Sequence, residues 1–178
     1  AGLVGGGRMP NPLWRVYSSD LIWDDDYNPE ALAESVEWVF PRSRLTVFGN
    51  LLQMVADEDS GSGKNQWLYS FQAGFEGALP LDSRLRLAAA YHKWSDENRS
   101  SLNAFASLDG NRRRDPPALT PTTAPTAASV LMSQFRVWEL TGQWSAKMGR
   151  TPLRLQVTLA RNTATTAVGA GPDARSGY

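Results

Sequence analysis

The sequence predicts an all-β protein, an antiparallel up-and-down β-barrel that crosses a membrane, of which this chain would supply about seven or eight strands. Three observations predict this fold. Side chains alternate between apolar and polar along several segments, and the connections between these segments alternate between short and long. The chain is also rich in aromatic residues with polar tips, with seven Trp and five Tyr in 178 residues. Together they indicate strands whose two faces meet different solvents.

The alternation of side chains is clearest in Asn65–Ala78 and Pro152–Asn162. In the first of these segments, Trp67 and Phe71 belong to an apolar row, whereas Gln72 belongs to a mostly polar row. Successive side chains of a β-strand point to opposite faces of the sheet. Both segments are also long enough for the roughly 9 to 11 residues with which a strand crosses a bilayer. They therefore predict membrane strands.

Further strands are predicted where alternation is weaker but β-branched and aromatic residues accumulate between turn-forming residues. These segments are Ser83–Trp94, Ser133–Ser145, Ser18–Asp24, Ala31–Phe40 and Leu45–Ala56, with Gly2–Arg8 as an additional candidate. The pattern of Leu45–Ala56 assigns no faces.

Residues 31–40 also have an alternative interpretation as a short amphipathic helix. Leu32, Val36 and Phe40 recur at four-residue spacing, and Pro29 suits the start of a helix.

The connections between the predicted strands alternate in length along the chain. The tight turns are Pro41–Ser43, Pro80–Asp82 and Met148–Thr151. The longer connections are polar and rich in Gly, Pro, Asp or Ser, and they are Asp25–Glu30, Asp57–Lys64 and Asp96–Val130. Up-and-down barrels of the bacterial outer membrane have short turns at one end and long loops at the other. The alternation of lengths therefore favours a barrel over a soluble sandwich.

Composition argues against several other classes of protein. Lys plus Arg and Asp plus Glu are balanced at 18 each, so no excess charge indicates nucleic-acid binding or a polybasic membrane-surface protein. The absence of cysteine excludes thiol catalysis, disulfides and thiolate metal sites. The longest uncharged run, 116–135, holds four prolines and four threonines, so it predicts a loop and no transmembrane helix.

For domain organisation, we predict a single, incomplete β-barrel segment over residues 1–178, with a long Thr/Pro-rich outer loop at 97–130. Hydrocarbon offers no hydrogen-bond partner to backbone groups, so a sheet can cross it only when every edge is paired. A water-filled lumen needs about sixteen strands. About seven strands would accordingly form part of a larger barrel from a longer parent.

Several sequence stretches resemble a known family, the "putative porin" family of bacterial outer-membrane barrels. They are Gly7–Pro12 (GRMPNP), Asp20–Glu30 (DLIWDDDYNPE), Phe48–Asn50 (FGN) and the acidic Asp57–Ser60 (DEDS). The likeness is densest over Gly7–Glu76, and the rhythm of strands carries it to the end of the chain.

The resemblance implies a barrel in the outer membrane of a Gram-negative bacterium, through which small hydrophilic solutes or ions diffuse passively. It implies no catalytic residue and no cofactor. Its implied partners are outer-membrane lipid, lipopolysaccharide and the solutes, and nucleic acid is not among them. A homotrimer is a further possibility, because trimers are frequent among porins. The alternative from another class is a soluble β-sandwich that binds carbohydrate through exposed Trp, and an outer-membrane enzyme is a third.

If the polar rows face the lumen, the predicted pore-lining residues are Ser70, Gln72, Glu76, Arg84, Arg86, Glu139, Gln143, Arg154 and Gln156. Aromatic rings near strand ends predict a girdle at the membrane boundary, made of Trp23, Trp67, Tyr69, Tyr91, Trp138 and Trp144. In the long loop, Arg112, Arg113 and Arg114 are expected to fold into the lumen as a cationic constriction that favours anions. The simpler reading of these arginines is a solvated surface.

Two motif-like groups do not support a specific site. Asp24, Asp26 and Asn28 start a calcium-loop pattern, but Pro29 stands where Gly is needed. A solvated turn is therefore favoured over an acidic outer loop that weakly binds divalent cations next to lipopolysaccharide. Gly61–Lys64 lacks the first Gly and the final Ser or Thr of a phosphate loop.

His92 is the only histidine in the chain, and Asp96 lies close to it in sequence. No serine nucleophile motif accompanies this pair, so His92 is predicted to be an ordinary lumen or rim residue with no catalytic or metal-binding role.

Overall fold

The computed structural model describes residues 1–16, 21–23, 28–57, 66–95, 113–114, 130–131 and 135–164. Within these residues the regular structure is β-strand, with one turn of 3-10 helix at Pro41–Ser43 and no α-helix. In that same part of the chain, no helix has the length and hydropathy needed to cross a membrane.

Nine strands follow one another in the described part of the chain. They are β1 (Gly2–Arg8), β2 (Glu30–Phe40), β3 (Leu45–Asp57), β4 (Gln66–Leu79), β5 (Ser83–Trp94), β6 (Arg113–Arg114), β7 (Val130–Leu131), β8 (Arg136–Met148) and β9 (Thr151–Asn162).

Seven of these strands form one sheet in the order β1-β2-β3-β4-β5-β8-β9, and β6 pairs with β7 separately. Each strand of the large sheet lies beside the strand that precedes it in that sheet, which is an up-and-down arrangement. β1, β2 and β3 pair antiparallel, with Ala33 opposite both Gly5 and Leu52. The structure confirms the predicted fold class, an all-β, antiparallel, up-and-down sheet of seven strands, as in part of a β-barrel.

Short connections join the strand pairs β2–β3, β4–β5 and β8–β9, as the sequence predicts. In the β4–β5 turn, Leu81 and Asp82 both have positive φ, at 60° and 49°. Two successive residues with positive φ match the right-handed twist of the flanking strands, which is the geometry of a tight hairpin. In the β8–β9 turn, Gly149 takes the left-handed conformation at φ 64°.

The structure decides the alternatives that the sequence left open. Residues 31–40 lie in β2 and form no helix, and the additional candidate Gly2–Arg8 is a strand of the sheet. Pairing with β2 assigns the faces of β3, since Leu52 lies opposite Ala33 and Leu51 lies opposite Glu34.

The predicted strand Ser18–Asp24 is wrong for its described residues, since Leu21–Trp23 form a turn. Residues 17–20 and 24–27 lie outside the described residues. Trp23 is buried and its ring stands edge-on to His92, with centroids 5.8 Å apart. A segment rich in aromatic and branched residues is expected to be buried, and here the buried residue Trp23 lies in a loop and not in a strand.

The chain forms two compact units. Unit 1 comprises Ala1–Met54, Tyr69–His92 and Trp138–Ala160, and unit 2 comprises Val55–Leu68, Lys93–Val137 and Arg161–Tyr178. Most of the predicted outer loop 97–130 lies outside the described residues, and within it Arg113–Arg114 pair with Val130–Leu131 in unit 2. The assignment of 1–178 as a single barrel segment stays a prediction.

The two faces of the unit 1 strands differ in burial and chemistry. In β4, Phe71 is 56% exposed, whereas its neighbour Gln72 is 1% exposed. We call the face that carries Phe71 the apolar face and the face that carries Gln72 the polar face. Away from the strand ends, the polar exceptions on the apolar face of unit 1, apart from tyrosines, are Glu34 and Gln53.

Candidate functional site: the polar face of the sheet

All nine predicted pore-lining residues lie on the polar face of unit 1. Within β4, β5, β8 and β9 they occupy positions an even number of residues apart, so in each strand they point to the same side of the sheet, which is the side of Gln72 in β4 and of His92 in β5. Hydrogen bonds across neighbouring strands show this directly. Arg84 donates to Glu76 at 3.1 Å, and Gln156 donates to Gln143 at 2.9 Å. The strand alternation therefore places them together, although their role in a pore stays a prediction.

Glu76 is the acidic centre of one group on this face. Its carboxylate lies 3.1 Å from an Arg84 nitrogen and 3.8 Å from an Arg86 nitrogen. The Arg84 side chain is largely exposed, so this ion pair contributes at most about 1 kcal/mol to stability. The group matters instead for the local charge of the polar face, because one carboxylate faces two guanidinium groups and leaves an excess of positive charge.

A buried hydrogen-bonded chain crosses three strands through His92. The ring Nδ1 lies 2.9 Å from Ser70 Oγ, and Nε2 lies 3.0 Å from a Glu139 carboxylate oxygen. Thr141 donates to the other oxygen of Glu139 at 3.0 Å. Polar groups that are removed from water need partners of this kind, and a satisfied network makes the packing specific.

The hydrogen-bonded residues Ser70, His92 and Glu139 have the residue types of a hydrolytic triad, but their surroundings do not suit catalysis. Ser70 and His92 are both fully buried, and Trp23 stands against the ring of His92. A nucleophile must reach a substrate carbonyl. Asp96, the neighbour that the sequence suggested, lies outside the described residues. The arrangement therefore supports a structural role for His92.

A segment between β1 and β2 folds onto the polar face, and the sequence did not predict it. We call residues 9–16 and 21–23 the infolded segment. Leu13, Val16 and Trp23 are buried in it. Its backbone is fixed by Gln72, whose side-chain amide accepts from Trp14 N–H at 2.7 Å and donates to the Trp14 carbonyl at 2.8 Å.

Two further contacts hold the infolded segment. Asn50 donates to the same Gln72 oxygen at 3.0 Å, and this orients the Gln72 amide toward Trp14. The Arg86 guanidinium lies 4.5 Å from the Trp14 ring centroid and 4.6 Å from that of Phe48. A cation over an aromatic face is attracted by the ring quadrupole. Polar and aromatic groups thus attach the segment to the sheet together.

Most of the predicted girdle lies on the apolar face. Trp67, Tyr69 and Trp138 are exposed there, and Tyr91 and Trp144 are half-buried. The Tyr91 and Trp138 rings lie 5.0 Å apart. Trp23 does not belong to this set, because it is buried in the infolded segment against the polar face. A girdle role is therefore withdrawn for Trp23.

The predicted constriction falls mainly outside the described residues. Arg112 is not described, and Arg113 and Arg114 form the short strand β6 in unit 2. Their role in ion selection stays a prediction. The acidic and glycine-rich stretches 24–26 and 61–64 also lie outside the described residues.

Among the residues that the structure describes, no group of three or more His, Cys, Asp or Glu side chains could hold a metal ion. The acidic side chains Glu76 and Glu139 each have a different set of partners, arginines for the first and His92 with Thr141 for the second. The polar face is thus a surface of hydrogen-bonded and charged groups.

An up-and-down β-sheet with one exposed apolar face and one polar face is the arrangement that the wall of a membrane β-barrel requires. The sequence pattern of the family described as "Putative porin" matches residues 3–115, which is most of the chain. The chain belongs to this family, and the family indicates a membrane location. No curated protein and no solved structure matches the chain significantly.

Proposed function

We propose that the protein is a porin of the bacterial outer membrane, through which small hydrophilic solutes or ions diffuse passively without a cofactor or a catalytic step. The observation that carries this proposal is the contrast within β4, where the exposed row includes Phe71 and the opposite row includes Gln72 and Glu76. Hydrocarbon excludes charge, whereas a lumen filled with water accepts it.

The exposed apolar row argues against the carbohydrate-binding sandwich. In a sandwich, one apolar face of each sheet is buried against the other sheet. Here Phe71, Leu155 and Leu159 are each more than half exposed. A contiguous exposed apolar surface on this scale is expected where lipid covers it. The partners we propose are therefore outer-membrane lipid, lipopolysaccharide and the diffusing solutes, with a homotrimer as an assembly that the family suggests.

We infer that the infolded segment narrows the passage. It lies on the polar face, and the atoms that hold it come from that face, namely the Gln72 amide and the Arg86 guanidinium. In a barrel, a segment attached to the lumen side of the wall reduces the open cross-section. The segment would then set the size limit for solutes.

The charges on the polar face favour anions near the short turns. A cavity of about 710 Å³ in unit 1 is lined by Arg44, Arg84 and Lys147, against Glu76 and Asp82. A neighbouring cavity of about 540 Å³ adds Arg154. Rings of charged side chains select ions of opposite sign. An excess of cationic groups here therefore attracts anionic solutes.

Reconstitution of the full-length protein in a planar bilayer tests the function. We expect discrete conductance steps and a reversal potential in a salt gradient that indicates anion preference. The combined change Arg84→Glu, Lys147→Glu and Arg154→Glu should shift that potential toward cations. A parallel variant with Glu at positions 112, 113 and 114 should also shift it if the long loop enters the lumen. A protein that inserts but never conducts would refute the proposed function.

A further inference from the structure

Three cationic side chains share one face at one end of adjacent strands in unit 2. Lys93 is the penultimate residue of β5, Arg136 is the first of β8, and Arg161 is the penultimate residue of β9. All three are exposed. By alternation along their strands, each lies on the apolar face, the face opposite to that of His92 in β5 and Glu139 in β8.

The backbone brings the three cations close together. Trp94 N–H donates to the Phe135 carbonyl at 3.3 Å, and Thr163 N–H donates to the Arg136 carbonyl at 2.8 Å. These bonds place the ends of β5, β8 and β9 side by side. Neighbouring strands lie about 4.8 Å apart, and Arg161 is offset by two residues from Thr163, which lies opposite Arg136. The three side chains therefore start from positions within about 12 Å of one another.

Within the part of the chain that the structure describes, none of the three forms an ion pair with a carboxylate, unlike Arg84 with Glu76. Three like charges at this spacing repel one another, and the attraction of an anion between them offsets that repulsion. Trp67 stands on the same face at the end of β4, where its N–H and carbonyl bond to Ser95. Trp is a residue of the boundary between hydrocarbon and headgroups.

The opposite ends of the same three strands carry no such charge on the apolar face, since Leu85, Met148 and Leu153 stand there. On the apolar face of these three strands, the cations therefore lie only at the end next to the long connection 95–135. In outer-membrane barrels the long loops face the exterior. The lipid outside that end is lipopolysaccharide, whose headgroups carry phosphate.

We propose that Lys93, Arg136 and Arg161 form a binding site for the phosphate groups of lipopolysaccharide in the outer leaflet. Arg binds phosphate through paired N–H donors and Lys binds it as a point charge. The site lies on the lipid side of the wall and takes no part in solute passage. It rests on the proposed outer-membrane location, because only that membrane presents this lipid at the long-loop end.

The test compares two triple variants of the full-length protein in detergent with vesicles that contain bisphosphorylated lipid A. The first variant removes the proposed site, by Lys93→Gln, Arg136→Gln and Arg161→Gln. The matched control removes three charges from the polar face at the short-turn end, by Arg84→Gln, Lys147→Gln and Arg154→Gln.

Each basic residue near a charged membrane surface strengthens binding about fivefold, so the site variant should bind about a hundredfold more weakly. The control should bind within a few-fold of the unaltered protein. Equal binding by the site variant and the unaltered protein would overturn the proposal. If the site variant does not fold, binding of the unaltered protein to two forms of lipid A tests the proposal. It should bind bisphosphorylated lipid A more tightly than dephosphorylated lipid A, and equal binding to both would overturn the proposal.

Inorganic phosphate alone separates the two sources of the same chemistry. Competition by inorganic phosphate at concentrations comparable to those of lipid A would identify an ion site and refute lipid binding. Conductance of the site variant should equal that of the unaltered protein. Lipid binding without any conductance would instead refute the proposed function and leave this site intact.

Discussion

Replacing Gln72 with Leu should release the infolded segment from the polar face. The side-chain amide of Gln72 joins three hydrogen bonds, two with the Trp14 backbone at 2.7 and 2.8 Å and one with Asn50 at 3.0 Å. Leu has a similar volume but can form none of them. A typical hydrogen bond contributes about 1 kcal/mol net, so the three together contribute about 3 kcal/mol to holding the segment.

A free-energy change of about 3 kcal/mol raises the population of the open segment about a hundredfold. Hydrogen exchange at the Trp14 amide reports this population, because that N–H is bonded to Gln72. We expect exchange about a hundredfold faster in Q72L. The single-channel conductance should also rise, because the passage is no longer narrowed.

Gln156→Leu is the matched control for this change. Gln156 lies on the same face and also donates a hydrogen bond, but its partner is Gln143 and the pair is exposed. Trp14 exchange in Q156L should match that of the unaltered protein. Trp14 exchange in Q72L within twofold of the unaltered protein would refute the role given to the Gln72 amide.

Two further substitutions test the packing of the sheet. Phe71→Arg places a cation on the apolar face and should destabilise the protein folded in lipid vesicles by about 2–4 kcal/mol in a urea titration, whereas Gln143→Arg on the polar face should change little, and equal effects would contradict the face assignment. At Gly74 an added Cβ would lie 2.5 Å from both the Leu87 carbonyl and a Phe48 ring atom, so Gly74→Ala should cost about 1–3 kcal/mol in the same titration. The added Cβ of Gly77→Ala meets only ordinary contact at 3.7 Å, so that control should be nearly neutral, and a neutral Gly74→Ala would refute the close packing.

The strands were predictable because their signal is local. Alternation of apolar and polar residues with period two follows from strand geometry, and β4 shows it over most of its length. The same rule placed the nine polar residues on one face without any knowledge of strand pairing. For β3 the pattern alone was ambiguous, because apolar residues such as Leu52 and Met54 also occupy the polar face, where they are buried.

The infolded segment was not predictable because its contacts are distant in sequence. Trp14 and Gln72 are 58 positions apart, and no local pattern relates a backbone N–H to a glutamine in a later strand. The same limit explains the error at Trp23, whose aromatic character suits a girdle as well as a buried loop. The chain of Ser70, His92 and Glu139 depends on strand pairing in the same way.

In the proposed barrel, the apolar face with Phe71 and Leu155 meets lipid, and the polar face with Gln143 and Gln156 meets the water of the lumen. The chain has no cysteine, so single cysteines for nitroxide labels need no background removal. We would place labels at Phe71, Leu155, Gln143 and Gln156 in the full-length protein in lipid vesicles, and compare relaxation by oxygen, which concentrates in hydrocarbon, with relaxation by a water-soluble nickel complex. We expect oxygen access at positions 71 and 155 and nickel access at 143 and 156. Nickel access at all four positions, or the reverse pattern, would contradict this assignment of the two faces.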